Sequence, residues 1–464
     1  MHKTIPFLVI SLAAFSGCSM APDYSRPEVP LNVTAIGNDA ATNRISELSW
    51  SNFVSDSYLR ELIQCALENN KDLKIAVLNV ENTRALYRIQ RSDRFPSIAA
   101  TGSGSRQRTP WDLSSSGTSV TGSSYQVGAS ASYEIDLFGR IASLDENALE
   151  TYLATEESSR SVEISLISSV AQQYFLYIAT AEQLSLAESS LENANHLLEL
   201  NRSMFAQGTS SELDLRTAES QREAYQISVE QLQQNLTTTR NALELLVGTS
   251  LPTIDTLPSM QDMPVISSFP ENIPSEVLLQ RPDILAAEHQ LKAANANIGA
   301  ARAAFFPSVS LTAFGGTASR ELSGLFENGS GMWSFAPSIR IPIFEAGANK
   351  AQLDVAKIST EIQVATYEQA IQSAFRDVAD CLAINESMER QLDAQLILLK
   401  AAERRYELSL ERFKAGLDSY LPLLQAQQDL FGAQQNLISL RRQKAANSVS
   451  MYAALGGTWD STAP

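Results

Sequence analysis

The sequence predicts a membrane β-barrel combined with very long coiled-coil helices, encoded in two structural repeats. Three observations predict this fold class. Short motifs recur at a nearly constant offset, such as 306 − 95 = 211 residues for Phe-Pro-Ser. Two very long helical runs contain no proline, and four segments of about ten residues alternate apolar with polar side chains. A single globular core does not need helices of this length, and a helical membrane protein does not need alternating strand segments.

Composition excludes several classes of protein. The 464 residues carry 35 basic and 52 acidic side chains, for a formal charge of -17, which disfavours nucleic-acid binding. Three cysteines and three histidines lie scattered along the chain, so we expect no disulfide framework, no metal site and no bound cofactor. We find no nucleophile, acid/base or phosphate-binding motif, so no catalytic residue is predicted and an enzyme is the least favoured class.

The first 17 residues have the pattern of a secretory signal peptide. A basic start, Met1-His2-Lys3, precedes the apolar run 5–15, which is too short to span a membrane as a helix. The run ends in Phe15-Ser16-Gly17-Cys18, which resembles the lipobox at which bacterial lipoproteins are cleaved and acylated on cysteine. Ser19, rather than Asp, favours sorting to the outer membrane. The alternative is an ordinary secretory signal with an incidental cysteine.

Residues 18–55 follow as a lipid-anchored tether, rich in Pro, Asn and Asp near its start. Repeat 1 is expected over 56–250, a linker over 251–274, repeat 2 over 275–457 and a short tail over 458–464. The motifs that pair across the two repeats keep one order along the chain: Lys71-Asp72-Leu73 with Pro282-Asp283-Ile284, Phe95-Pro96-Ser97 with Phe306-Pro307-Ser308, Phe138 with Phe344, Phe205 with Phe413, and Leu246-Val247-Gly248 with Ala454-Leu455-Gly456.

Each repeat is expected to open with a helix, over about 56–94 and 275–304, that stops near a proline. A very long helix then follows the strands, over about 140–207 in repeat 1 and 346–415 in repeat 2. A shorter helix completes each repeat, over about 211–247 and 419–455. Apolar residues in the long runs recur every seven residues, as in a coiled-coil seam.

A tight turn should join the long and short helices of each repeat into a hairpin. Gly208 and Gly416 are placed as C-terminal caps, because glycine readily adopts the left-handed conformation. Ser210 or Ser211 in the first tip, and Asp418 or Ser419 in the second, can cap the helix that follows.

Four strands are predicted over about 95–107, 123–138, 306–318 and 332–344. Each has one apolar face and the length of a tilted transmembrane strand of about ten residues. A small soluble sheet is the alternative, but the lipobox and the long helices favour a membrane strand. Four strands cannot close a barrel, whose smallest size is about eight, so chains must associate. Three chains, with twelve strands, would leave room for a channel, which favours a trimer over a dimer.

The sequence resembles the outer membrane efflux family typified by TolC, in its lipoprotein branch. The resemblance covers nearly the whole chain after the signal. The motifs that carry it are Arg281-Pro282-Asp283-Ile284, Phe305-Phe306-Pro307-Ser308, Ala415-Gly416, Tyr420-Leu421 and Ala454-Leu455-Gly456-Gly457. It implies a homotrimer whose twelve-stranded outer-membrane barrel continues into an α-helical barrel, a tunnel through the periplasm. It also implies two partners, a periplasmic adaptor and an inner-membrane pump of the RND type.

The resemblance also assigns candidate site residues. A periplasmic gate is expected at Leu421 and, one turn later, Gln425, where many relatives carry Asp. A ring of neutral Gln would neither repel itself nor bind cations, so the nearby carboxylates Asp418 and Asp429 are candidate substitutes. A helix cap is the favoured interpretation of Asp418. The adaptor is expected to contact the hairpin tips, at Gly208 and Thr209 and at Gly416 and Leu417.

The predicted function is a passive exit duct of a drug efflux system, with energy supplied by the partner pump. A duct for protein secretion is the close alternative. A structural lipoprotein that spaces membrane from cell wall with its coiled coil is the less favoured one, because it does not explain the duplicated strands.

Overall fold

The computed structural model describes residues 20–27, 54, 56–254, 257–261, 263 and 278–457. The signal, Cys18 and most of the tether lie outside these residues. The helices and strands, in chain order, are α1 (Ser57–Asn69), α2 (Lys71–Ser92), β1 (Ser97–Thr109), β2 (Val120–Ile135), α3 (Arg140–Ala206), α4 (Glu212–Val247), α5 (Pro282–Ala303), β3 (Ser308–Ser319), a 3₁₀ turn (Leu322–Phe326), β4 (Gly331–Arg340), α6 (Ala348–Lys414) and α7 (Tyr420–Ala454).

The chain divides into two compact units. The first contains residues 1–28, 79–156 and 286–368, and the second contains residues 29–78, 157–285 and 369–464. The four strands lie in the first unit and both hairpin tips lie in the second. Among the described helices, none is both long and apolar enough to cross a membrane.

The first unit contains one antiparallel sheet in the order β1-β2-β3-β4. Residues directly opposite each other in neighbouring strands share a face of a sheet. Ile98 lies opposite Ala131, Ala131 opposite Ala313, and Ala313 opposite Phe335. The register therefore collects the apolar positions of all four strands on one face. Within the described residues, β1 and β4 each pair on one side only, so the sheet has two open edges.

Strand β4 ends at Arg340, four residues before the predicted end at 344. Its neighbour β3 begins at Ser308, which pairs with Arg340, so no strand lies opposite residues 341–344. Pro342 also lacks the N–H group that a further pairing would need. Strand β2 lies about three residues earlier than predicted, at Val120–Ile135.

An N-terminal strap, defined as Met20–Arg26, lies along α5 in the first unit. Its backbone accepts hydrogen bonds from two α5 side chains, Arg302 Nη1 to Met20 O at 3.0 Å and Asn295 Nδ2 to Pro22 O at 2.8 Å. Tyr24 and Arg26 both contact Glu288, and Lys292 lies 5.5 Å from the centre of the Tyr24 ring. A side chain at Gly299 would have its Cβ 2.7 Å from the Ala21 nitrogen, so glycine lets the strap approach the helix.

The predicted helix over 56–94 is wrong as a single element, because it breaks at Asn70 between α1 and α2. Asn70 has an extended backbone, and its side chain accepts a hydrogen bond from the Leu73 amide at 3.0 Å, as an N-cap does. The same side chain donates to Leu246 O at 2.8 Å. The predicted start of the second opening helix, near 275, lies outside the described residues. Residue 278 is helical, residues 279 and 280 form a turn, and α5 begins at Pro282, so the predicted helix is not continuous. Proline suits that first position because its missing N–H would lack a partner there anyway.

The core of the second unit is an apolar cluster built on α1, α3, α4 and α7. Its fully buried members include Leu62, Ile63 and Tyr174. The Tyr174 hydroxyl donates to Asp56 Oδ2 at 2.9 Å, which satisfies a polar group inside the cluster. Cys381 is buried and Cys65 is half-buried, and both are free thiols. Among the described residues, no group of three or more His, Cys, Asp or Glu side chains could hold a metal ion.

Candidate functional site: the two hairpin tips

The first tip joins α3 to α4. Gly208 has a φ of 73°, which glycine adopts without strain, and its amide donates to Phe205 O at 2.9 Å. The Thr209 amide donates to Met204 O at 2.9 Å, which closes the C-terminus of α3. Ser211, rather than Ser210, caps α4, since its hydroxyl accepts from the Asp214 amide at 3.1 Å.

The second tip joins α6 to α7 with the same backbone geometry. Gly416 has a φ of 72° and donates to Phe413 O at 2.9 Å, and the Leu417 amide donates to Arg412 O at 3.0 Å. Nothing lies within 4 Å of a Cβ built at Gly208 or Gly416, so both tips present an open surface. Gly208, Thr209, Gly416 and Leu417 are all exposed.

Asp418 does not cap α7, and this interpretation of its role is wrong. Ser419 occupies the N-cap position without a side-chain hydrogen bond. The carboxylate of Asp418 instead accepts two hydrogen bonds from Arg412, from Nε at 2.6 Å and Nη2 at 2.9 Å. A bidentate guanidinium–carboxylate pair is geometrically specific, and the hydrogen bonds from Arg412 lower the pKa of Asp418 below its usual value.

One apolar cluster joins the two hairpins beneath their tips. Leu197 and Leu215 of the first hairpin are buried against Phe413, Tyr420 and Leu423 of the second. The rings of Phe413 and Tyr420 meet edge to face with centroids 5.7 Å apart. Burial raises the pKa of Tyr420 to about 12, so its hydroxyl is neutral at any physiological pH.

The two predicted gate residues lie on the exposed face of α7. Leu421 is 54% exposed, and Gln425, one turn later, is exposed as well. Their neighbours Leu423 and Leu424 point into the apolar cluster instead. If copies of the chain meet around an axis, Leu421 can therefore form an apolar ring and Gln425 a neutral polar ring. Neither residue offers a carboxylate.

Sequence reasoning missed Leu213, which occupies the position of Leu421 in the first repeat (421 − 208 = 213). Leu213 is 76% exposed and lies in the first turn of α4. The repeat offset of 208 residues between Phe205 and Phe413 was the signal that could have found it. The predicted acylation site, Cys18, lies outside the described residues, two residues before the start of the strap.

Comparison with known proteins places these features in a family. Residues 62–249 and 273–457 match a family model described as "Outer membrane efflux protein". The chain is 46% identical over 469 residues to the solvent efflux pump outer membrane protein SrpC of Pseudomonas putida, covering 98% of each chain.

Solved structures agree with this similarity. A membrane protein from Pseudomonas aeruginosa has a TM-score of 0.88 and 39% identity, over 95% of this chain and 98% of that one. The open state of the Neisseria gonorrhoeae MtrE outer membrane channel has a TM-score of 0.85 and 40% identity, over 95% of this chain and 98% of that one.

Proposed function

The chain belongs to the outer membrane efflux protein family, and from that premise we propose that three copies form a duct through the outer membrane and the periplasm. As a member of this family it is an outer membrane efflux protein and not an enzyme. Beyond family membership, we propose a trimeric assembly, two partner proteins, a lipid anchor on Cys18 and a gate at the hairpin tips.

The strongest support for a closed barrel is the four-stranded sheet with its two open edges. A sheet in lipid must satisfy all its backbone N–H and C=O groups internally, so β4 of one copy must pair with β1 of the next. Three copies then contribute 3 × 4 = 12 strands, above the minimum of about eight. The continuous apolar face of the sheet would contact lipid, and the polar face would line a channel.

The hairpin tips are proposed to perform two tasks at the periplasmic end. Leu421, with Gln425 one turn later, would form the constriction. Both side chains lie on the exposed face of α7, whereas the neighbouring leucines pack into the apolar cluster that holds the tips. Gly208, Thr209, Gly416 and Leu417 would contact the hairpins of a periplasmic adaptor, since these tip positions are open and exposed. An inner-membrane pump of the RND type would supply the energy.

The cargo is proposed to be small toxic organic compounds. The relative from Pseudomonas putida is named as part of a solvent efflux pump, which is the observation that favours this class over secreted proteins. Acylation of Cys18 would add a lipid anchor. The strap, which starts two residues later and lies on α5, would set how far that anchor can move.

Single-channel recording in planar bilayers tests the proposal. We expect the purified protein to insert and give small, rarely open currents, and Leu421→Ala to enlarge them by widening the constriction. Leu213→Ala is the matched control, because Leu213 occupies the same position in the first tip. Equal effects of both variants would place the constriction at both tips, and inserted trimers with unchanged currents would place it elsewhere.

Failure of the protein to insert would contradict the barrel itself. Two further measurements test the remaining parts. Mass spectrometry of the intact protein should find an acylated N-terminus at Cys18, and Cys18→Ser should lack it. Deletion of the gene should lower tolerance to organic solvents and drugs, and leave protein secretion unchanged.

A further inference from the structure

Two charged residues lie at one end of the apolar face of the sheet, and both belong to β1. Residues two apart along a strand share a face, so Arg106 and Arg108 lie on the same face as Ile98. Among the residues of β1–β4 on this face, they are the only ones with a charged side chain. The equivalent positions of the second repeat, 106 + 211 and 108 + 211, hold the neutral residues Thr317 and Ser319. The arginine pair is therefore not required by the repeated architecture.

The strand register places the two arginines just beyond the end of the apolar band. On β2 the apolar face runs from Ile135 to Tyr125 (135 − 125 = 10 residues), which is about 34 Å along the strand at about 3.4 Å per residue. A strand tilt of about 35–45° reduces this to a height of about 24–28 Å, close to the apolar band of an outer-membrane barrel. Arg106 and Arg108 pair with positions 123 and 121, two and four residues beyond Tyr125. They therefore lie about 7 and 14 Å further along the strand, at the level of the lipid headgroups.

This end of the sheet faces the cell exterior in the proposed duct. The helices α2, α3, α5 and α6 join the strands at the opposite end of the sheet, and the proposed function places these helices in the periplasm. The turns that connect β1 to β2 and β3 to β4 lie at the same end as the arginines. Arg106 and Arg108 are therefore at the height of the outer leaflet.

Both guanidinium groups are open to a ligand. Arg106 and Arg108 are exposed, and neither side chain forms an ion pair or a hydrogen bond with another of the described residues. The Tyr125 ring lies over Gly104, since a Cβ built at Gly104 would be 3.1 Å from Cδ1 of that ring. Pairing of β1 with β4 of the next copy would use backbone groups and leave both arginine side chains on the outer surface. An arginine on the lipid face is costly at the centre of the bilayer and tolerated near the headgroups.

We propose that Arg106 and Arg108 bind the phosphate groups of the phosphorylated glycolipid that forms the outer leaflet of bacterial outer membranes. This inference rests on the proposed duct, since only a barrel in that membrane brings the two residues to the headgroups. Guanidinium groups recognise phosphate through paired, charge-assisted hydrogen bonds. The acyl chains of the same lipid would contact the apolar band directly below, at Tyr125 and Val127. A free phosphate ion would use only the first of these two contacts.

Titration of the full-length trimer in detergent with diphosphoryl lipid A tests this site, with native mass spectrometry as the readout of bound lipid. We expect one lipid per chain. The double variant Arg106→Gln, Arg108→Gln should bind at least about tenfold more weakly, because it loses the charged donors. Arg340→Gln is the matched control, since Arg340 is an exposed arginine at the other end of the sheet and on its polar face. This variant should bind like the wild type.

Three further ligands identify what the wild type recognises, and they test the site even if the double variant assembles poorly. Dephosphorylated lipid A should bind weakly, and equal binding would overturn the role of phosphate. Phosphatidylglycerol should also bind more weakly, and equal binding would overturn the assignment to the glycolipid. Inorganic phosphate at the concentration of the lipid should not displace it, and displacement would overturn a lipid site in favour of a simple anion site.

The same spectra separate failure of this site from failure of the duct. Trimers that bind diphosphoryl lipid A equally well in the wild type and in the double variant would overturn the site and leave the proposed duct standing. A wild type that forms no trimers and does not insert into bilayers would overturn both.

Discussion

Asp418 accepts two hydrogen bonds from the guanidinium of Arg412, at 2.6 Å and 2.9 Å, across the turn of the second tip. Arg412 is also the residue whose carbonyl accepts the Leu417 amide. The side chain and the backbone carbonyl of Arg412 thus bind two successive residues of the turn, Asp418 and Leu417. The first tip lacks this pair, since Met204 and Ser210 occupy the corresponding positions (412 − 208 and 418 − 208).

We therefore predict that the order of the second tip depends on pH in acid. The pKa of Asp418 is lowered by Arg412, so the contribution of the pair is fully present above the usual range of an aspartate, near 4, and is lost as pH falls through the lowered value. Amide hydrogen exchange at Gly416 and Leu417, corrected for intrinsic rates, should show this loss in the wild type. Asp418→Asn should exchange faster at pH 7 and show no such transition.

The first tip supplies the control for this prediction. Asp214→Asn alters a carboxylate that contacts Ser211 in the first tip and should leave exchange at Gly416 unchanged. Unchanged exchange in Asp418→Asn at neutral pH would show that the backbone hydrogen bonds alone hold the turn.

We predict that substitutions of Leu421 and Leu423 have different effects, one on conductance and the other on stability, although the two residues lie only two positions apart. Leu423 is fully buried in the cluster beneath the tips, so Leu423→Ala should cost about 2–5 kcal/mol of local stability and speed exchange at both tips. Leu421→Ala removes an exposed side chain and should leave tip exchange nearly unchanged while altering conductance. Equal losses of stability in both variants would contradict a gate that is separate from the core.

We predict that Asn70 contributes to stability through two distinct hydrogen bonds. Asn70→Ala removes the cap on α2, worth about 1 kcal/mol, and also leaves the carbonyl of Leu246 without its donor. Asn70→Ser keeps a neutral acceptor for the Leu73 amide at the cap and loses the second bond. Opening free energies from hydrogen exchange at Leu73 should fall in the order wild type, Asn70→Ser, Asn70→Ala, and a larger loss for Asn70→Ser than for Asn70→Ala would contradict the capping role.

We predict that Gly299→Ala releases the strap from α5. The new Cβ would lie 2.7 Å from the nitrogen and 2.9 Å from the Cα of Ala21, and backbone atoms cannot yield as a flexible side chain can. Chymotrypsin should then cleave after Tyr24 faster than in the wild type. Gly432→Ala is the matched control, since nothing lies within 4 Å of its Cβ and alanine favours a helix by about 1 kcal/mol. Equal cleavage in both variants would show that the strap does not need this close approach.

Much of the architecture was predictable because it is encoded in local patterns. The absence of proline from residues 140–207 and 346–415, together with the seven-residue rhythm, indicated the long helices, which the structure places at Arg140–Ala206 and Ala348–Lys414. Glycines at 208 and 416 indicated the tips, where both residues adopt a positive φ. The predicted strand ends were less accurate, because a strand ends where its hydrogen-bonded neighbour ends. The sequence of one strand does not show where that neighbour ends.

The candidate site was predictable in position and only partly in chemistry. Asp418 lies two residues after Gly416, a position where helix caps are common, but its carboxylate binds Arg412 on the preceding helix. A charged side chain takes the partner that the turn geometry offers, and bidentate pairing with a guanidinium is stronger than a single bond to an amide.

The sequence by itself determined the two repeats, the lengths of the helices and the apolar faces of the strands, because periodicity and proline placement act over neighbouring residues. Only the tertiary structure decided which of two equivalent helix positions is covered. Glu212 of α4 and Tyr420 of α7 are related by the repeat offset of 208 residues, yet Tyr420 is buried and Glu212 is exposed, because the two hairpins of one chain pack against each other on one side only. It also decided the break at Asn70, where Leu246, 176 residues away, supplies the partner that ends one helix and starts the next.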